Sequence, residues 1–328
     1  MNDAPNSAVD DQSNPPVRLR LGTRNSPLAM VQAEETRARL CAAHGWHETQ
    51  VELVPVVASG DKVLDKPLAE IGGKALWTKE LDAWLGEGLI DASVHSAKDV
   101  ETIRPDIFHF GGVLPRADRR DSLVGADTIA SIPTGSVIGT SAPRRASQLL
   151  NLRPDCRVVT FRGNVATRLG KLEAGEADVT FLAAAGLERL GQSDVGTPLD
   201  ENEWVPAAAQ GIIVLECRAN DASTTAALAA IDDAPTRDEL KAERALLAQL
   251  GGTCHSPIAV LCQMAGDGLA MRAALFSPDG TERVEGEARF APGDYAAIDA
   301  LARDLLSRAT PGISPHFGQP MSPTGHGA

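Results

Sequence analysis

The stretch GTSAPRRASQLLNLRPDCRVVTFRGNVATR, residues 139–168, decides which fold this sequence predicts. It repeats one local pattern, in which a short apolar run meets a polar turn and a helical pattern follows. The apolar runs lie at 137–138 and 157–161, and helices are predicted over 143–152 and 165–172. Such repetition is typical of βα units, whose parallel strands share one sheet.

The same stretch is far more basic than the rest of the chain. The whole sequence has 44 Asp and Glu against 31 Lys and Arg, for a net charge of −13, yet Asp155 is the one acidic residue here. Turns between a strand and a helix already favour an anion, because free backbone N–H groups and the helix dipole face it. An acidic chain is not typical of a nucleic-acid binder, so a local anion site is predicted. The arginines of the stretch are Arg144, Arg145, Arg153, Arg157, Arg162 and Arg168.

Length and composition indicate a globular protein of two or three domains. The chain has 328 residues, of which 43% are hydrophobic and 23% charged. Its five cysteines are scattered and form neither a CxxC pair nor a Cys/His zinc spacing, so neither a disulfide framework nor a metal site is predicted. Residues 1–16 lack the features of a secretory signal, and no apolar run reaches the length of a membrane span. We therefore expect a reduced cytoplasmic protein without membrane or nucleic-acid partners.

Further βα units are predicted on the N-terminal side. Residues 17–23 alternate as a strand, and Ser26 and Pro27 then offer an N-cap and a first residue for a helix. Arg24 lies at this junction, where an ordinary surface arginine is the commoner interpretation. A second strand leads into residues 59–77, which lack a clean period and are either a mobile lid or an ordinary connector.

A third predicted strand runs directly into a cluster of ionisable residues, His95, Lys98 and Asp99. Open α/β sheets bind ligands at the ends of their strands, so this cluster is a candidate site. A buried core histidine and a solvated Lys–Asp pair are the alternatives. In the second unit, right-handed crossovers should bring the following turns to one sheet edge. Those turns carry Ser141, Arg144, Arg145, Arg162, Arg168 and Arg189.

The last third of the chain predicts a small α+β unit. Residues 206–211 form a linker into a returning strand, and Thr236 with Glu239 has capping-box spacing at the start of a helix. Cys254 follows on a short loop, where a buried structural thiol is the alternative to a functional one. The predicted division is a disordered tail 1–16, a first domain 17–114 with 212–231, a second domain 115–211, a third domain 236–310 and a disordered tail 311–328.

Eight segments in this order resemble the porphobilinogen deaminase family, also called hydroxymethylbilane synthases. Each motif is modest alone, but the shared order and spacing from about Arg18 to Ala309 make the resemblance specific. The segments are TRNSPLA (23–29), LAEIGGKALW (68–77), DASVHSAKDV (91–100), GTSAPRR (139–145), FRGNVATRL (161–169), AAAGLERLG (183–191), PAAAQG (206–211) and GGTCHSPIA (251–259).

The resemblance implies an α/β fold with two periplasmic-binding-protein-like βα domains of type II topology and a small α+β C-terminal domain. It implies a dipyrromethane cofactor, made from the enzyme's own substrate and attached to Cys254 by a thioether. The implied enzyme is a cytoplasmic monomer of porphyrin and haem biosynthesis. It joins four porphobilinogen molecules with loss of ammonia and then releases the linear tetrapyrrole hydroxymethylbilane.

The matching motifs also imply residue roles. Asp99 would be the catalytic carboxylate, because it would stabilise the positive charge that develops as ammonia leaves. Each pyrrole ring carries an acetate and a propionate, and arginine binds such carboxylates bidentately. The residues implied to hold the cofactor are Cys254, Ser26, Lys98, Ser141, Arg144, Arg145, Arg162 and Arg168. Those implied to hold the substrate are Arg24, Ser26, Lys74, Arg162, Arg168, Arg189 and Gln210.

Four positions depart from the family's commonest pattern. Glu70 stands where a lysine is frequent and would not bind a carboxylate. Ala142 replaces a serine, and Ser141 could cover part of its role. Trp77 replaces a phenylalanine, and Thr253 replaces a glycine before the cysteine. Two other interpretations are a non-catalytic two-domain protein that binds a small anion and a transferase of phosphate ligands. The latter lacks both a Walker pattern and a dinucleotide fingerprint.

Overall fold

The computed structural model describes residues 15–56, 78–253 and 255–318. None of the helices in this part of the chain combines the length and apolar character that a membrane span requires. The described helices are α1 Pro27–His44, α2 Lys79–Gly86, α3 Pro143–Leu152, α4 Val165–Glu173, α5 Ala184–Arg189, α6 Ala222–Ala229, α7 Ala234–Leu250 and α8 Tyr295–Ser307. The described strands are β1 Leu19–Arg24, β2 Val51–Val56, β3 Ala92–Ser96, β4 Phe108–Val113, β5 Asp121–Val124, β6 Val137–Gly139, β7 Arg157–Val159, β8 Val179–Ala183, β9 Thr197–Pro198, β10 Ile213–Arg218, β11 Ile258–Ala265, β12 Gly268–Phe276 and β13 Arg283–Phe290.

Two five-stranded sheets share one topology. The first has the order β2-β1-β3-β10-β4, with β1, β2 and β3 parallel and β10 antiparallel to both of its neighbours. The second has the order β7-β6-β8-β5-β9, with β6, β7 and β8 parallel and β5 antiparallel to both of its neighbours. Each sheet therefore contains one strand that arrives from the other. This repeated order is the type II topology of periplasmic binding proteins, so the predicted fold class is confirmed.

The third sheet is antiparallel, with the order β11-β12-β13, and helices α7 and α8 pack on it. It supplies the predicted small α+β part of the fold. Each of the three sheets has its own apolar core, which agrees with the size of the chain. Representative fully or nearly fully buried residues are Leu21, Leu40 and Leu215 in the first core, Leu123, Phe181 and Trp204 in the second, and Leu246, Leu275 and Leu305 in the third.

Two predicted helix starts are confirmed by their capping contacts. Ser26 caps α1, where its hydroxyl accepts from the backbone N–H of Ala29 at 3.4 Å and Pro27 opens the first turn. Asn164 caps α4, where its side-chain oxygen accepts from the N–H of Thr167 at 2.9 Å. The first N–H groups of a helix have no partner within the helix, so these contacts fix where strand, turn and helix meet.

The predicted capping box of Thr236 and Glu239 is wrong. Helix α7 is capped instead by Asp233, whose carboxylate accepts from the N–H of Thr236 at 2.9 Å. Thr236 therefore lies inside the first turn, and its hydroxyl accepts from the backbone N–H of Arg116 at 3.0 Å. Aspartate is as good an N-cap as threonine, and Pro235 suits the first turn that Asp233 precedes.

Two crossing segments, one after β4 and one before β10, connect the first and second sheets and contact each other. The N–H of Ala117 donates to the carbonyl of Gly211 at 3.1 Å. Gly211 has a φ of +87°, and a Cβ atom there would lie 2.6 Å from the carbonyl oxygen of Ala117. Only glycine suits this position, because the segments approach too closely for a side chain. Nearby Ala209 also has a positive φ, of 60°, and the buried Glu243 accepts its N–H.

The prediction of a disordered tail from residue 311 is wrong for residues 311–318. Ile313 and Phe317 are buried in the core of the third sheet, and the N–H of Gly318 donates to the carbonyl of Leu250 at 3.1 Å. The Gly- and Pro-rich composition of the tail predicts disorder, whereas these two apolar side chains bind its first residues to the core. Residues 1–14 and 319–328, which also belong to the predicted tails, lie outside the described residues.

Candidate active site

The carboxyl ends of the parallel strands carry most of the polar residues predicted for the site. In the first sheet, β1 ends at Arg24, and β3 leads into a 3₁₀ turn, Ala97–Asp99. In the second sheet, β6 ends at Gly139, and Ser141 follows before α3. Ligands of open α/β sheets bind outside these strand ends. The topology thus places the predicted residues at the two sheet edges where a ligand is expected.

Asp121, the first residue of β5, is a fully buried carboxylate on which four donors converge. Its Oδ2 accepts from Nη1 of Arg144 at 2.5 Å and from the indole Nε1 of Trp204 at 2.7 Å. Its Oδ1 accepts from Nη2 of Arg145 at 2.7 Å and from Nε2 of Gln210 at 2.9 Å. Burial raises the pKa of Asp121, but the charges of Arg144 and Arg145 outweigh it and hold the pKa well below its usual value. The ionised carboxylate therefore fixes both guanidinium groups.

Arg144 and Arg145 each retain a buried donor. The Nε atoms of both side chains are buried and meet no acceptor within the part of the chain that the structure describes. Leaving a buried N–H without an acceptor costs about 1–3 kcal/mol, so an incoming anion would be stabilised here. Arg144 also lies over the ring of Trp204, 5.9 Å from its centroid, which restricts its orientation. The arginine pair can therefore hold an additional carboxylate.

Lys98 connects the first sheet to this cluster. Its Nζ donates to Oε1 of Gln210 at 3.3 Å, and the amide of Gln210 donates in turn to Asp121. Burial and the charge of Arg145 lower the pKa of Lys98 to about 8, although Asp99 and Asp121 act in the opposite direction. Lys98 is therefore still mainly protonated at pH 7, but it is closer to losing its charge than an exposed lysine.

Carboxylate binding at Lys98 is expected to weaken as the pH rises through about 8. The protonated amine attracts a carboxylate and the neutral amine does not. The same shift means that the folded chain releases this proton before the unfolded chain does, so its destabilising effect is present below pH 8 and is relieved toward pH 10.5. Calorimetry with a pyrrole dicarboxylate that lacks the aminomethyl group, at pH 7 and pH 9, measures the effect. The difference should vanish in Lys98→Met, and equal affinities in the unaltered chain would contradict the prediction.

Arg168 extends the cationic cluster from α4. Its Nε donates to the carbonyl of Gly163 at 3.0 Å. Burial and the charge of Arg145 lower its pKa to about 10, with Asp99 opposing and Arg162 adding to the decrease. Arg145, Arg162 and Asp99 are therefore close enough to act on Arg168 electrostatically. Positive charge exceeds negative charge in the cluster, which contains two carboxylates, Asp99 and Asp121, and five cations, Lys98, Arg144, Arg145, Arg162 and Arg168.

Asp99 differs from the other carboxylate because it is exposed. It ends the 3₁₀ turn, and the N–H of Ala97 at the other end of the turn donates to the carbonyl of Ile212 at 2.9 Å. Its charge acts on both Lys98 and Arg168, so it lies within electrostatic range of cations from both domains. A solvent-accessible carboxylate at this edge can contact a ligand N–H and can accept or hold a proton.

Arg189 does not join the cationic cluster. Its Nε lies 3.5 Å from Oε2 of Glu35 on α1, and its Nη2 donates to the carbonyl of Gly211 at 3.3 Å. Burial lowers its pKa, and Glu35 opposes that effect. Arg189 thus links the second sheet to a helix of the first and to a crossing segment. A substrate carboxylate would have to compete with Glu35 for this guanidinium.

The arginines of the basic stretch, residues 139–168, do not all belong to the cationic cluster. Arg153 donates to the carboxylate of Asp155 at 2.8 Å and to the carbonyl of Ile132 at 2.6 Å, and so stabilises a loop beside α3. Arg157 is exposed at the start of β7. In the first sheet, Arg24 and Ser26 are half-buried at the strand end, where Ser26 also caps α1. Composition alone therefore overstated how much of the stretch faces the site.

Two predicted site residues, Lys74 and Cys254, lie outside the described residues, as does the predicted lid, 59–77, with Glu70 and Trp77. The residues beside Cys254 are described. The N–H of Thr253 donates to the hydroxyl of Ser256 at 3.0 Å, and the N–H of His255 donates to the hydroxyl of Thr253 at 3.2 Å. Thr253 therefore contributes a loop-stabilising hydroxyl that a glycine could not supply.

The sequence interpretation missed Asp121, Trp204 and the surroundings of His95. Asp121 ends the charged run Arg119-Arg120-Asp121, near the start of the predicted second domain, where the sequence predicts no site residue. Its one signal in the sequence is that the apolar pair Leu123-Val124 follows after a single serine, as at the start of a strand. His95 is a buried histidine, 3.8 Å from Glu216, and burial together with the charge of Arg104 lowers its pKa to about 4. It is neutral at pH 7 and belongs to the core, as the alternative interpretation held.

Comparison with known families decides which family the chain belongs to. A family model described as "Porphobilinogen deaminase, dipyromethane cofactor binding domain" matches residues 19–226. The chain belongs to the porphobilinogen deaminase family. A second model, "Porphobilinogen deaminase, C-terminal domain", matches residues 238–300. The predicted family is therefore confirmed, and so is its dipyrromethane cofactor.

Individual relatives agree with this assignment. The curated porphobilinogen deaminase of Sphingopyxis alaskensis is 52% identical over 311 residues, which cover 93% of this chain and 98% of the relative. That of Paracoccus denitrificans is 47% identical, with 92% and 96% covered. Among solved structures, the chain is similar to the VFT2 domain of Bordetella pertussis BvgS, in a double mutant, at a TM-score of 0.39 and 16% identity over 70% of this chain and 92% of that domain. It is also similar to a periplasmic substrate-binding protein of an ABC transporter from Coxiella burnetii. The TM-score is 0.39 and the identity 15%, over 69% of this chain and 97% of that protein.

Proposed function

We propose that this chain is a hydroxymethylbilane synthase, which polymerises four porphobilinogen molecules into hydroxymethylbilane and releases ammonia at each addition. The cationic cluster around Lys98 and Arg145, with the exposed Asp99 beside it, is the observation that supports this function best. A chain of pyrroles that carry acetate and propionate groups is a polycarboxylate, and it needs several fixed cations. The alternative, a non-catalytic protein that binds a small anion, is not favoured because both family matches are to the deaminase.

The described residues fit the dipyrromethane cofactor. Its carboxylates would accept from the buried Nε atoms of Arg144 and Arg145, and from the ammonium group of Lys98. Cys254 would hold it covalently. When bound, the cofactor supplies the pyrrole carbon to which the first substrate molecule is joined. The other residues that we propose for cofactor binding are Ser26, Ser141, Arg162 and Arg168.

Asp99 would act on the substrate as the reacting centre develops positive charge. Loss of ammonia leaves an electron-poor azafulvene cation, and a carboxylate near the pyrrole N–H lowers the energy of that charge. The exposed position of Asp99 leaves its oxygens accessible to a ligand. The cations of the cluster, and not Asp99, would bind the carboxylates of the substrate. The residues that we propose for substrate binding are Arg24, Ser26, Lys74, Arg162, Arg168, Arg189 and Gln210.

The finer assignments follow from the same reasoning. We propose, as the family resemblance implies, that the chain works as a cytoplasmic monomer. We also propose that it has no nucleic-acid or membrane partners, and its net charge of −13 opposes binding to other polyanions. The proposed domain division is 17–114 with 212–231, 115–211 and 236–310, which places the crossing residues Ala117 and Gly211 near the two ends of the second domain.

Replacing Cys254 with serine is expected to remove a covalent adduct. The intact mass of the purified unaltered chain should exceed its sequence mass by a dipyrrole, and that of Cys254→Ser should not. A hydroxyl of ordinary pKa is a much weaker nucleophile than a thiolate, so serine should not replace the thioether.

The matched control is Cys41→Ser. Cys41 is a free, half-buried thiol on α1, and this variant should keep both the adduct and the activity. An active chain that carries no added mass would contradict covalent attachment. An adduct that survives in Cys254→Ser would contradict the choice of this cysteine.

A further inference from the structure

The turn that carries Asp99 and the loop that carries Cys254 are hydrogen-bonded to each other. We call residues 97–102 the catalytic turn and residues 251–256 the cofactor loop. The hydroxyl of Thr102 donates to the carbonyl oxygen of Gly252 at 2.9 Å. Thr102 follows Asp99 by three positions, and Gly252 precedes Cys254 by two. One hydrogen bond therefore joins the segments that would carry the catalytic carboxylate and the cofactor.

Arg244 reinforces this junction from α7, the helix that leads into the cofactor loop. Its Nη2 donates to the backbone carbonyls of Glu101 and Thr102, at 2.6 Å and 2.8 Å. Its guanidinium lies over the ring of Phe110, 5.0 Å from the centroid, so it is held from a second side. Burial lowers the pKa of Arg244 to about 10, and the group remains charged at neutral pH. Its contacts are therefore charge-assisted bonds to backbone atoms of the catalytic turn.

A buried ion cluster around Arg104 fixes the same turn through the side chain of Glu101. The carboxylate of Glu101 accepts from Nη1 of Arg104 at 2.7 Å and from the hydroxyl of Thr78 at 3.2 Å. Arg104 is itself held by the fully buried Glu216, through bonds of 2.8 Å and 2.7 Å. The catalytic turn is thus held both by a buried ion cluster and by the cofactor loop and α7.

We propose that Thr102 and Arg244 are positioning residues, which hold the Asp99 carboxylate at a set place relative to the cofactor loop. The inference rests on the proposed function. A displacement of about 1 Å of a reacting group can cost about 10²-fold in rate, so the two segments need a fixed separation. Neither residue would touch the substrate. Both act through backbone carbonyls, and their loss would move the turn without removing a charge from the cationic cluster.

The test compares Thr102→Val with Thr102→Ser. Valine keeps the shape of threonine and lacks the hydroxyl, whereas serine keeps the hydroxyl. Thr102→Val is expected to lower kcat roughly ten-fold with little change in KM, and Thr102→Ser should stay near the unaltered chain. The second readout is the rate at which the cofactor-free chain gains the adduct mass when it is mixed with porphobilinogen. That rate should fall in Thr102→Val and recover in Thr102→Ser.

Ser147→Ala is the matched control. The hydroxyl of Ser147 donates to the carbonyl of Pro278 at 3.1 Å, so it also joins two parts of the fold through a hydroxyl–carbonyl bond. It lies on α3 and makes no contact with the catalytic turn in the part of the chain that the structure describes. Its loss should lower the thermal midpoint about as much as Thr102→Val does, and should leave kcat unchanged.

The outcomes separate this inference from the function on which it rests. An unaltered chain that neither consumes porphobilinogen nor carries the adduct would overturn the proposed function. If the unaltered chain is active, equal kcat values in Thr102→Val and Thr102→Ser would overturn the positioning role, as would an equal loss in Ser147→Ala. If Thr102→Val fails to fold, Arg244→Met and Arg244→Lys make the same comparison, because lysine can still donate to both carbonyls and methionine cannot.

Discussion

Asp99→Asn is expected to fold, to keep its cofactor and to lose turnover by about 10²–10⁴-fold. The side chain is exposed at the end of a short 3₁₀ turn, so the substitution removes no core contact. Asparagine has the same size, but it cannot accept a proton or balance a developing positive charge. KM should change much less, because the carboxylates of the substrate are bound by the cationic cluster. Steady-state kinetics measure kcat and KM, and intact mass measures cofactor loading.

Asp106→Asn provides the control for this variant. Asp106 is another exposed carboxylate of the same region, and it lies beyond the catalytic turn, before β4. Its substitution changes the net charge by the same amount and should leave kcat unchanged. Near-normal turnover in Asp99→Asn would refute the catalytic assignment. An equal loss in Asp106→Asn would show that net charge, and not position, causes the effect.

The sequence predicts which residues reach the sheet edges because that placement depends only on local pattern and handed crossovers. A strand followed by a turn and a helix puts Lys98 and Arg145 at the carboxyl ends of parallel strands. What the local pattern leaves open is which partner each charge meets. Asp121 enters from the crossing strand β5, and only the tertiary fold brings it between Arg144 and Arg145.

Long side chains and weak composition signals explain the remaining differences. Arg189 lies at a predicted turn, but its reach lets it pair with Glu35 of another helix. Arg153 belongs to the same basic stretch as Arg145, yet it donates to Asp155, two positions along the chain, and to the carbonyl of the distant Ile132. Such choices depend on distances between elements that are far apart in sequence, and no periodicity encodes them.

The second large effect is expected in stability. Asp121→Asn should lower the free energy of unfolding by about 3–5 kcal/mol, because two buried guanidinium groups lose their counter-charge. The Asp121 carboxylate accepts from four donors. The asparagine amide has one acceptor oxygen, and its NH₂ group would face donors instead of acceptors. The thermal midpoint should fall by roughly 10 °C, which calorimetry measures. Cofactor loading should fall with it, since Arg144 and Arg145 lose their fixed orientation.

The pH dependence of Asp121→Asn gives an independent check. Because the pKa of Asp121 is held well below its usual value, its contribution to stability is complete above the ordinary aspartate pKa of about 3.9. The contribution is lost as the pH falls from there toward the folded-state pKa. The variant lacks this titration, so its stability should fall less steeply below pH 4 than that of the unaltered chain.

A second substitution separates unpaired charge from simple loss of packing. Adding Arg144→Met to Asp121→Asn removes one of the two uncompensated charges, so the double variant should be more stable than Asp121→Asn alone. Asp155→Asn is the control for losing an Arg–Asp pair, because Asp155 bonds to Arg153 where solvent screens the charges. It should shift the midpoint far less. If the double variant is less stable than Asp121→Asn by the full cost of Arg144→Met alone, the two residues act independently and Asp121 is not the counter-charge that orients the arginine pair.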